Sequence, residues 1–222
     1  MPSSGGGRYG SPEDLVRALH AEGIADRRVV AAFRAVARAR FVPPAAAHLA
    51  YLDQPIRIGR GQVTTQPSLV ARMLVALQLT GGERVLEVGT GLGFQTAILA
   101  VLAGEVVSVE RFADLAAEAT ANLAAAGVGG VTVLVGDGTL GVPSRAPYDA
   151  IVVAAASPRV PEPLVEQLVP GGRLVHPLGP GGHELVTAFH KEAGRLVADA
   201  QLTPARFVPL VGAHGASEAT PP

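Results

Sequence analysis

From Arg84 onward the chain alternates short runs rich in Val, Ile and Leu with longer runs rich in Ala and Leu, and that alternation leaves few folds open. The short runs, 84–88, 105–110, 131–136, 148–154 and 172–177, have the length of strands. Between the first three lie helical patterns at 94–103 and 113–126, and 163–169 fits a further short helix. Strands that are apolar at nearly every position, and separated by helices, belong to a parallel sheet covered on both faces. The expected fold is therefore α/β, a doubly wound, mostly parallel sheet of Rossmann-like type. No helical pattern separates 184–190 from 195–210, so these read as a C-terminal antiparallel hairpin.

Upstream of Arg84 the period changes. Leu15, Val16 and Leu19, then Val29, Val30, Phe33, Val36 and Ala37, recur at helical spacing behind Ser11 and Asp26, two N-cap residue types. Two short N-terminal helices follow from this, then an irregular segment rich in Pro and Gly, then a helix at 67–77. The Gly/Ser-rich residues 1–10 and the Ala/Ser/Pro-rich residues 213–222 read as flexible tails. The expected organisation is one domain over 11–212, with N-terminal helices and an active-site segment at 11–80 and a cofactor-binding sheet at 84–212.

Several function classes lose support. No apolar run approaches the roughly 20 residues of a membrane helix, and the first residues have no apolar signal core, so a cytoplasmic protein is expected. Net charge is −1 with no basic stripe, which disfavours nucleic acid. The chain has no cysteine, Lys191 is its single lysine, and its six histidines show no zinc-ligand spacing. Thiolate, Schiff-base and metal chemistry are therefore not expected.

The turn after the first strand of the sheet carries Gly89, Thr90, Gly91 and Gly93. A first strand-to-helix turn is where such sheets bind ligands, and bare main chain before a helix N-terminus allows close approach. Glycine required only for a tight turn is the plainer reading. The G-x-G-x-G spacing departs from the dinucleotide fingerprint, because Phe94 stands where that pattern wants its third glycine. Glu87, two residues before the loop, suits a cationic ligand better than a diphosphate. Glu110 ends the next strand, where a carboxylate can accept both hydroxyls of a ribose, and Asp137, followed by Gly138, ends the third, where an acid could take an adenine amino group. Taken singly, Glu110 and Asp137 read equally well as helix caps or solvated strand ends. Together, acids on three successive strands over a glycine loop describe a nucleoside carrying positive charge, which is S-adenosylmethionine.

At this point the chain resembles a class I methyltransferase, and in detail the protein-L-isoaspartate O-methyltransferase family. The resemblance runs from about Leu15 to Gly212. It is carried by "ARARFVPP" (37–44), "AYLDQPIRIGRGQ" (50–62), "RVLEVGTGLGFQTAILA" (84–100), "VLVGDGTLG" (133–141) and "RFVPLVG" (206–212). It implies methylation of the free α-carboxylate of L-isoaspartyl residues in damaged proteins or peptides, followed by succinimide formation and repair. It also implies that Thr64, Glu87, Gly89, Thr90, Gly91, Gly93, Glu110, Arg111, Asp137 and Gly138 contact the cofactor. Residues 62–68 would then form the wall between cofactor and acceptor. Where the family reads GQTIS this chain reads "GQVTT", so Thr65 replaces the family's active-site serine and is the candidate catalytic residue.

Methyl transfer to a carboxylate asks for no general base, since a carboxyl with a pKa of about 3.5 is already an anion at neutral pH. The protein has to desolvate that anion and hold it about 3 Å from the methyl group, in line. Thr65 is assigned the orienting hydrogen bond. Asp53 and Tyr51 are polar neighbours that read at least as well as a turn residue and a half-buried ring, and Asp149 reads as fixing the entry to its strand. Arg206 stays outside the catalytic set. Open alternatives are an ordinary aspartate in a specific peptide or a small molecule as acceptor, a nicotinamide-dependent oxidoreductase, and a non-catalytic scaffold. A monomer acting on protein or peptide substrates is expected.

Overall fold

The computed structural model describes residues 10–179 and 182–217. The expected tail at 1–10 lies almost wholly outside the described residues. The two N-terminal helices are α1 (Pro12–Ala21) and α2 (Arg27–Ala35). Pro12 occupies the first turn of α1, where no hydrogen bond is lost, and the Asp14 carboxylate reaches back to the Ser11 N–H at 2.6 Å. The Asp26 side chain accepts the N–H groups of Arg28 and Val29, the capping expected of it. Leu15, Leu19 and Phe33 leave no surface exposed. Burying an apolar side chain of this size contributes about 1.5–3 kcal/mol, so these helices are held by packing more than by propensity.

The expected irregular segment contains more order than its sequence suggests. After two short 3-10 turns, β1 (Ile56–Gly59) and β2 (Gln62–Thr64) form an antiparallel hairpin apart from the main sheet. Arg60 at its tip has φ 50° between two left-handed glycines. Helix α3 (Pro67–Ala76) follows, close to the range expected.

The main sheet has seven strands: β3 (Arg84–Val88), β4 (Glu105–Glu110), β5 (Val131–Val135), β6 (Tyr148–Val153), β7 (Leu168–Leu178), β8 (Glu184–Glu192) and β9 (Arg195–Ala205). Helices α4 (Phe94–Leu102), α5 (Ala113–Ala125) and α6 (Glu162–Glu166) lie between them. The spatial order is β5-β4-β3-β6-β7-β8-β9, parallel through β7 and antiparallel for the last two strands. The chain runs outward from β3 to β5 and then crosses back to β6, so the order reverses beside β3. Ligands in open α/β sheets bind beyond the strand ends at such a reversal.

Side chains alternate faces along each strand. Val85, Val106 and Val152 pack beneath α1 to α4, while Leu86, Val107 and Ile151 pack on the other side with Leu164 of α6. Burial of both faces explains why these strands are continuously apolar. β7 begins earlier than expected, at Leu168, pairing first with Tyr148 and shifting register before Arg173 pairs with Ala150. Among the described residues no helix is long and apolar enough to cross a membrane.

The expected C-terminal tail needs correction. Residues 213–217 turn back onto the sheet instead of fraying: Ala213 donates its N–H to Asp137 Oδ2 at 2.7 Å, His214 donates to Thr139 Oγ1 at 3.1 Å, and Val211 bridges to Ala216. Residues 218–222 lie outside the described residues.

Candidate active site

The glycine loop leaves β3 at Val88. Gly89, Gly91 and Gly93 have φ of 96°, 57° and 94°, in the region that side chains disfavour. A β-carbon on Gly91 would also lie 3.1 Å from Ile58 Cδ1, so hairpin and loop are in near contact there. Gly93 is the N-cap of α4, which explains its place in the motif without a ligand.

The Glu110 carboxylate closes the loop from the neighbouring strand. Oε2 accepts the Gly91 N–H at 2.9 Å and Oε1 accepts the Phe112 N–H at 3.1 Å. The residue is 6 % exposed, and that exposure is toward a cleft. The cleft holds about 830 Å³ of atom-free space, mouth included, ample for a nucleoside. Of the residues singled out from sequence, Gly89, Thr90, Gly91, Glu110, Arg111 and Gly138 line it, and Thr64 and Thr65 form part of the opposite wall. At Gly138 a β-carbon would fall 2.4 Å from Val88 Cγ1, so the main chain there has no room for a side chain.

Three of the residues expected to contact the cofactor, Glu87, Gly93 and Asp137, do not line this cleft. Glu87 does not face the cleft: it is 0 % exposed and points under the loop toward α4. Its carboxylate accepts from Gln95 Nε2 at 3.0 Å, from Ser108 Oγ at 2.6 Å, and from Thr96 Oγ1. Ser108 spends its proton on Glu87, so the hydroxyl of Thr90, 2.5 Å away, donates to Ser108. Burial drives the Glu87 pKa up to about 7 against those three bonds, and the nearby Glu110 charge adds to the rise. Asp137 lines a further cavity beside the cleft, with Arg111 and Val211 common to both. Its Oδ1 accepts the Thr139 N–H and hydroxyl and its Oδ2 accepts the Ala213 N–H, so it anchors the C-terminal turn. Burial would raise its pKa, but the bonds from Ala213 and Thr139 prevail and hold it below the usual aspartate value.

A second cavity adjoins the first. Val63, Thr65, Ala154 and Val208 are common to both linings, so Thr65 stands in the partition between them. Among the described residues no side chain or main-chain group bonds the Thr65 hydroxyl. Around the second cavity stand Gln66, Ser68, Arg72, Arg206 and Phe207. Asp53 proves to be a scaffold for this region, with Oδ1 taking the Ser68 N–H at 2.8 Å and Oδ2 the Gln66 Nε2 at 2.9 Å. Asp149 accepts the Arg84 N–H at 2.8 Å, fixing where β3 and β6 begin, and Tyr51 is a half-buried ring against the core. Arg206 donates to the Gly182 carbonyl from the rim.

Sequence reasoning missed the floor of the cleft. Residues 208–211 run beside the loop after β6, where Ala156 donates to the Val208 carbonyl at 2.8 Å and Leu210 donates back to Ala156 at 2.6 Å. Pairing between residues some fifty positions apart leaves no local pattern, although the family-like "RFVPL" element covered most of it.

Residues 10–215 match the family model described as protein-L-isoaspartate(D-aspartate) O-methyltransferase. A protein-L-isoaspartate O-methyltransferase of Methanoculleus marisnigri is 51% identical over 197 residues, covering 89% of each chain. One from Rhodopseudomonas palustris is 47% identical over 209 residues, 93% of this chain and 85% of the relative. A solved protein-L-isoaspartate O-methyltransferase superposes with a TM-score of 0.81 at 30% identity, covering 92% of this chain and 67% of the other. A Plasmodium falciparum protein solved in complex with S-adenosyl-L-homocysteine shares the fold, with a TM-score of 0.79 at 22% identity over 91% of this chain and 99% of its own.

Proposed function

The chain belongs to the protein-L-isoaspartate O-methyltransferase family, and from that premise we propose that it methylates the free α-carboxylate of L-isoaspartyl residues in damaged proteins or peptides. The observation that carries the reading is the partition at Thr65, with a glycine-loop cleft on one side and a second cavity on the other.

The donor is S-adenosylmethionine, which supplies an electrophilic methyl group on a sulfonium. The residues present fit it. The Glu110 carboxylate, already oriented by the Gly91 and Phe112 N–H groups, keeps lone pairs for a pair of ribose hydroxyls. The bare main chain of Gly89, Gly91 and Gly138 lets a flat, bulky nucleoside lie against the strand ends. Glu87 acts from below, holding Ser108 and through it Thr90 in the loop.

On the acceptor side the chain positions and desolvates. The hydroxyl of Thr65 donates a hydrogen bond to the carboxylate and turns one oxygen toward the donor cleft. Val63, Ala154 and Val208 at the partition offer no polar side-chain group, so the anion loses water there without gaining a competing partner. No proton has to be removed, which suits a partition without a base. The methyl ester then closes to a succinimide as the neighbouring main-chain nitrogen attacks the ester carbonyl, the acyl C–O bond breaks and methanol leaves with the amide proton, without help from the protein. The same reading makes this a cytoplasmic enzyme working as a monomer.

The test is methyl incorporation from labelled S-adenosylmethionine into an isoaspartyl peptide and its aspartyl twin. Incorporation confined to the isoaspartyl peptide is expected. Preference for the twin would overturn the acceptor assignment while leaving the donor assignment standing.

A further inference from the structure

Arg38 is a buried cation. It sits on the 3-10 turn Arg38–Phe41, is 0 % exposed, and among the described residues makes no ion pair. Instead its guanidinium serves main-chain carbonyls: Nη1 donates to Ala50 at 3.2 Å and Leu52 at 3.1 Å, and Nη2 donates to Gln54 at 3.0 Å and Thr65 at 3.1 Å. Nε is buried without a partner, and the group lies 5.4 Å from the ring centroid of Phe94, itself on the cofactor cleft. Burial pulls its pKa down to about 10, with Asp53 opposing, so it remains charged at neutral pH.

Such a group is a costly way to hold a fold, since apolar residues of similar volume often stabilise as well or better. What it supplies is geometry. The four carbonyls come from two separate segments, 50–54 and 65. The first segment also carries Asp53, which grips Ser68 and Gln66. One planar fork therefore fixes the residue in the partition directly and the residues after it through Asp53.

We infer that Arg38 is a positioning residue for methyl transfer: by holding the Thr65 carbonyl and the 50–54 turn together it sets where the acceptor carboxylate meets the donor. The inference rests on the acceptor reading above. Displacing a reacting group by about 1 Å can cost on the order of 100-fold in rate. A lysine ammonium, a point donor on a flexible stem, cannot span four carbonyls in two segments.

The full chain is assayed as wild type, Arg38→Lys and Arg38→Met, with kcat and KM for an isoaspartyl peptide. Rates are normalised to the sites titrated by S-adenosylhomocysteine in calorimetry. Arg38→Lys is expected to bind that nucleoside within about threefold of wild type and to lose roughly 10- to 100-fold in kcat per titrated site. A merely structural arginine would lower the melting temperature and the number of sites but leave kcat per site unchanged, and that result would overturn the inference. Should neither variant fold, the amide between Thr65 and Gln66 is exchanged for an ester, which weakens the Thr65 carbonyl as an acceptor and leaves Arg38 in place. A kcat loss of about threefold or more with nucleoside binding intact is then expected, and an unchanged kcat would refute the role. Wild-type protein silent toward the isoaspartyl peptide would instead bring down the acceptor reading, and this inference with it.

Discussion

Gly91 in the turn after β3 and Glu110 at the end of β4 are joined, the N–H of the glycine resting 2.9 Å from Oε2 of the acid. The bond orients a carboxylate whose remaining lone pairs face the cleft. Glu110→Ala is expected to weaken S-adenosylhomocysteine binding by roughly 10- to 100-fold, since hydrogen bonds to a charged group contribute about 1.5–3 kcal/mol. Glu110→Gln should lose less, and kcat at saturating donor should fall by less than tenfold in both. Calorimetry and saturation kinetics check this, and unchanged affinity in the alanine variant would remove Glu110 from the site.

Thr65 lines both cavities with a hydroxyl that no group of the described protein engages. Thr65→Ser should keep kcat within about threefold, because it keeps the donor. Thr65→Val preserves shape and removes the donor, so kcat should drop by roughly tenfold or more, with nucleoside affinity within about twofold of wild type. Equal turnover in the valine variant would assign the position to shape alone.

Asp137 holds the C-terminal turn, and a β-carbon on Gly212 would lie 2.0 Å from its Oδ1. Asp137→Ala and Gly212→Ala should both release the turn. Leaving the buried donors of Thr139 unpaired and freeing the exposed Ala213 N–H costs about 1–3 kcal/mol, or roughly 3–10 °C in melting temperature for a chain of this size. Hydrogen exchange should show the Ala213 and His214 amides deprotected first. Normal melting and protected amides in both variants would contradict the assigned anchoring.

Glu87 makes stability depend on pH in an unusual direction. Below pH 4.5 it is protonated in the folded and unfolded chain alike. Between pH 4.5 and about 7 the unfolded chain releases the proton while the folded chain keeps it, so stability falls as pH rises, by about 3 kcal/mol in total. Above that window both forms are ionised and the slope vanishes. Buried His176, pushed down to about 3 by desolvation, gives the opposite slope between its ordinary 6.5 and 3, and it cancels when two variants are compared. Urea unfolding of Glu87→Gln against wild type should therefore shift by about 3 kcal/mol in favour of glutamine between pH 4 and pH 8. A difference that stays flat across that range would show that Glu87 titrates normally.

The sheet was legible because both of its faces are covered, which turns each central strand into an apolar run that periodicity detects. Hairpin β1–β2 was not, since its strands have four and three residues and Gly59 and Gly61 look like loop punctuation. Glu110 lines the cleft and Glu87 lies beneath it, although both are acids next to the same loop. Parity along β3 could have separated them: Glu87 is two residues from Val85, shares its face, and so points toward α4. Asp137 before Gly138 and Thr139 carried the signature of a cap, and its carboxylate does accept the Thr139 N–H. The long-range partners of Arg38 and of residues 208–211 leave no periodic trace, so only the folded chain reveals them.

The partition at Thr65 divides the labour unevenly along the chain. The glycine-loop cleft draws on 88–92, Phe94, Gln95, 109–111 and Gly138, while the second cavity draws on Gln66, Ser68, Leu69, Arg72 and 203–207, and four residues line both. Acceptor preference can therefore drift, or be retargeted by grafting 203–207 from a relative, while the methyl-donor half is inherited untouched.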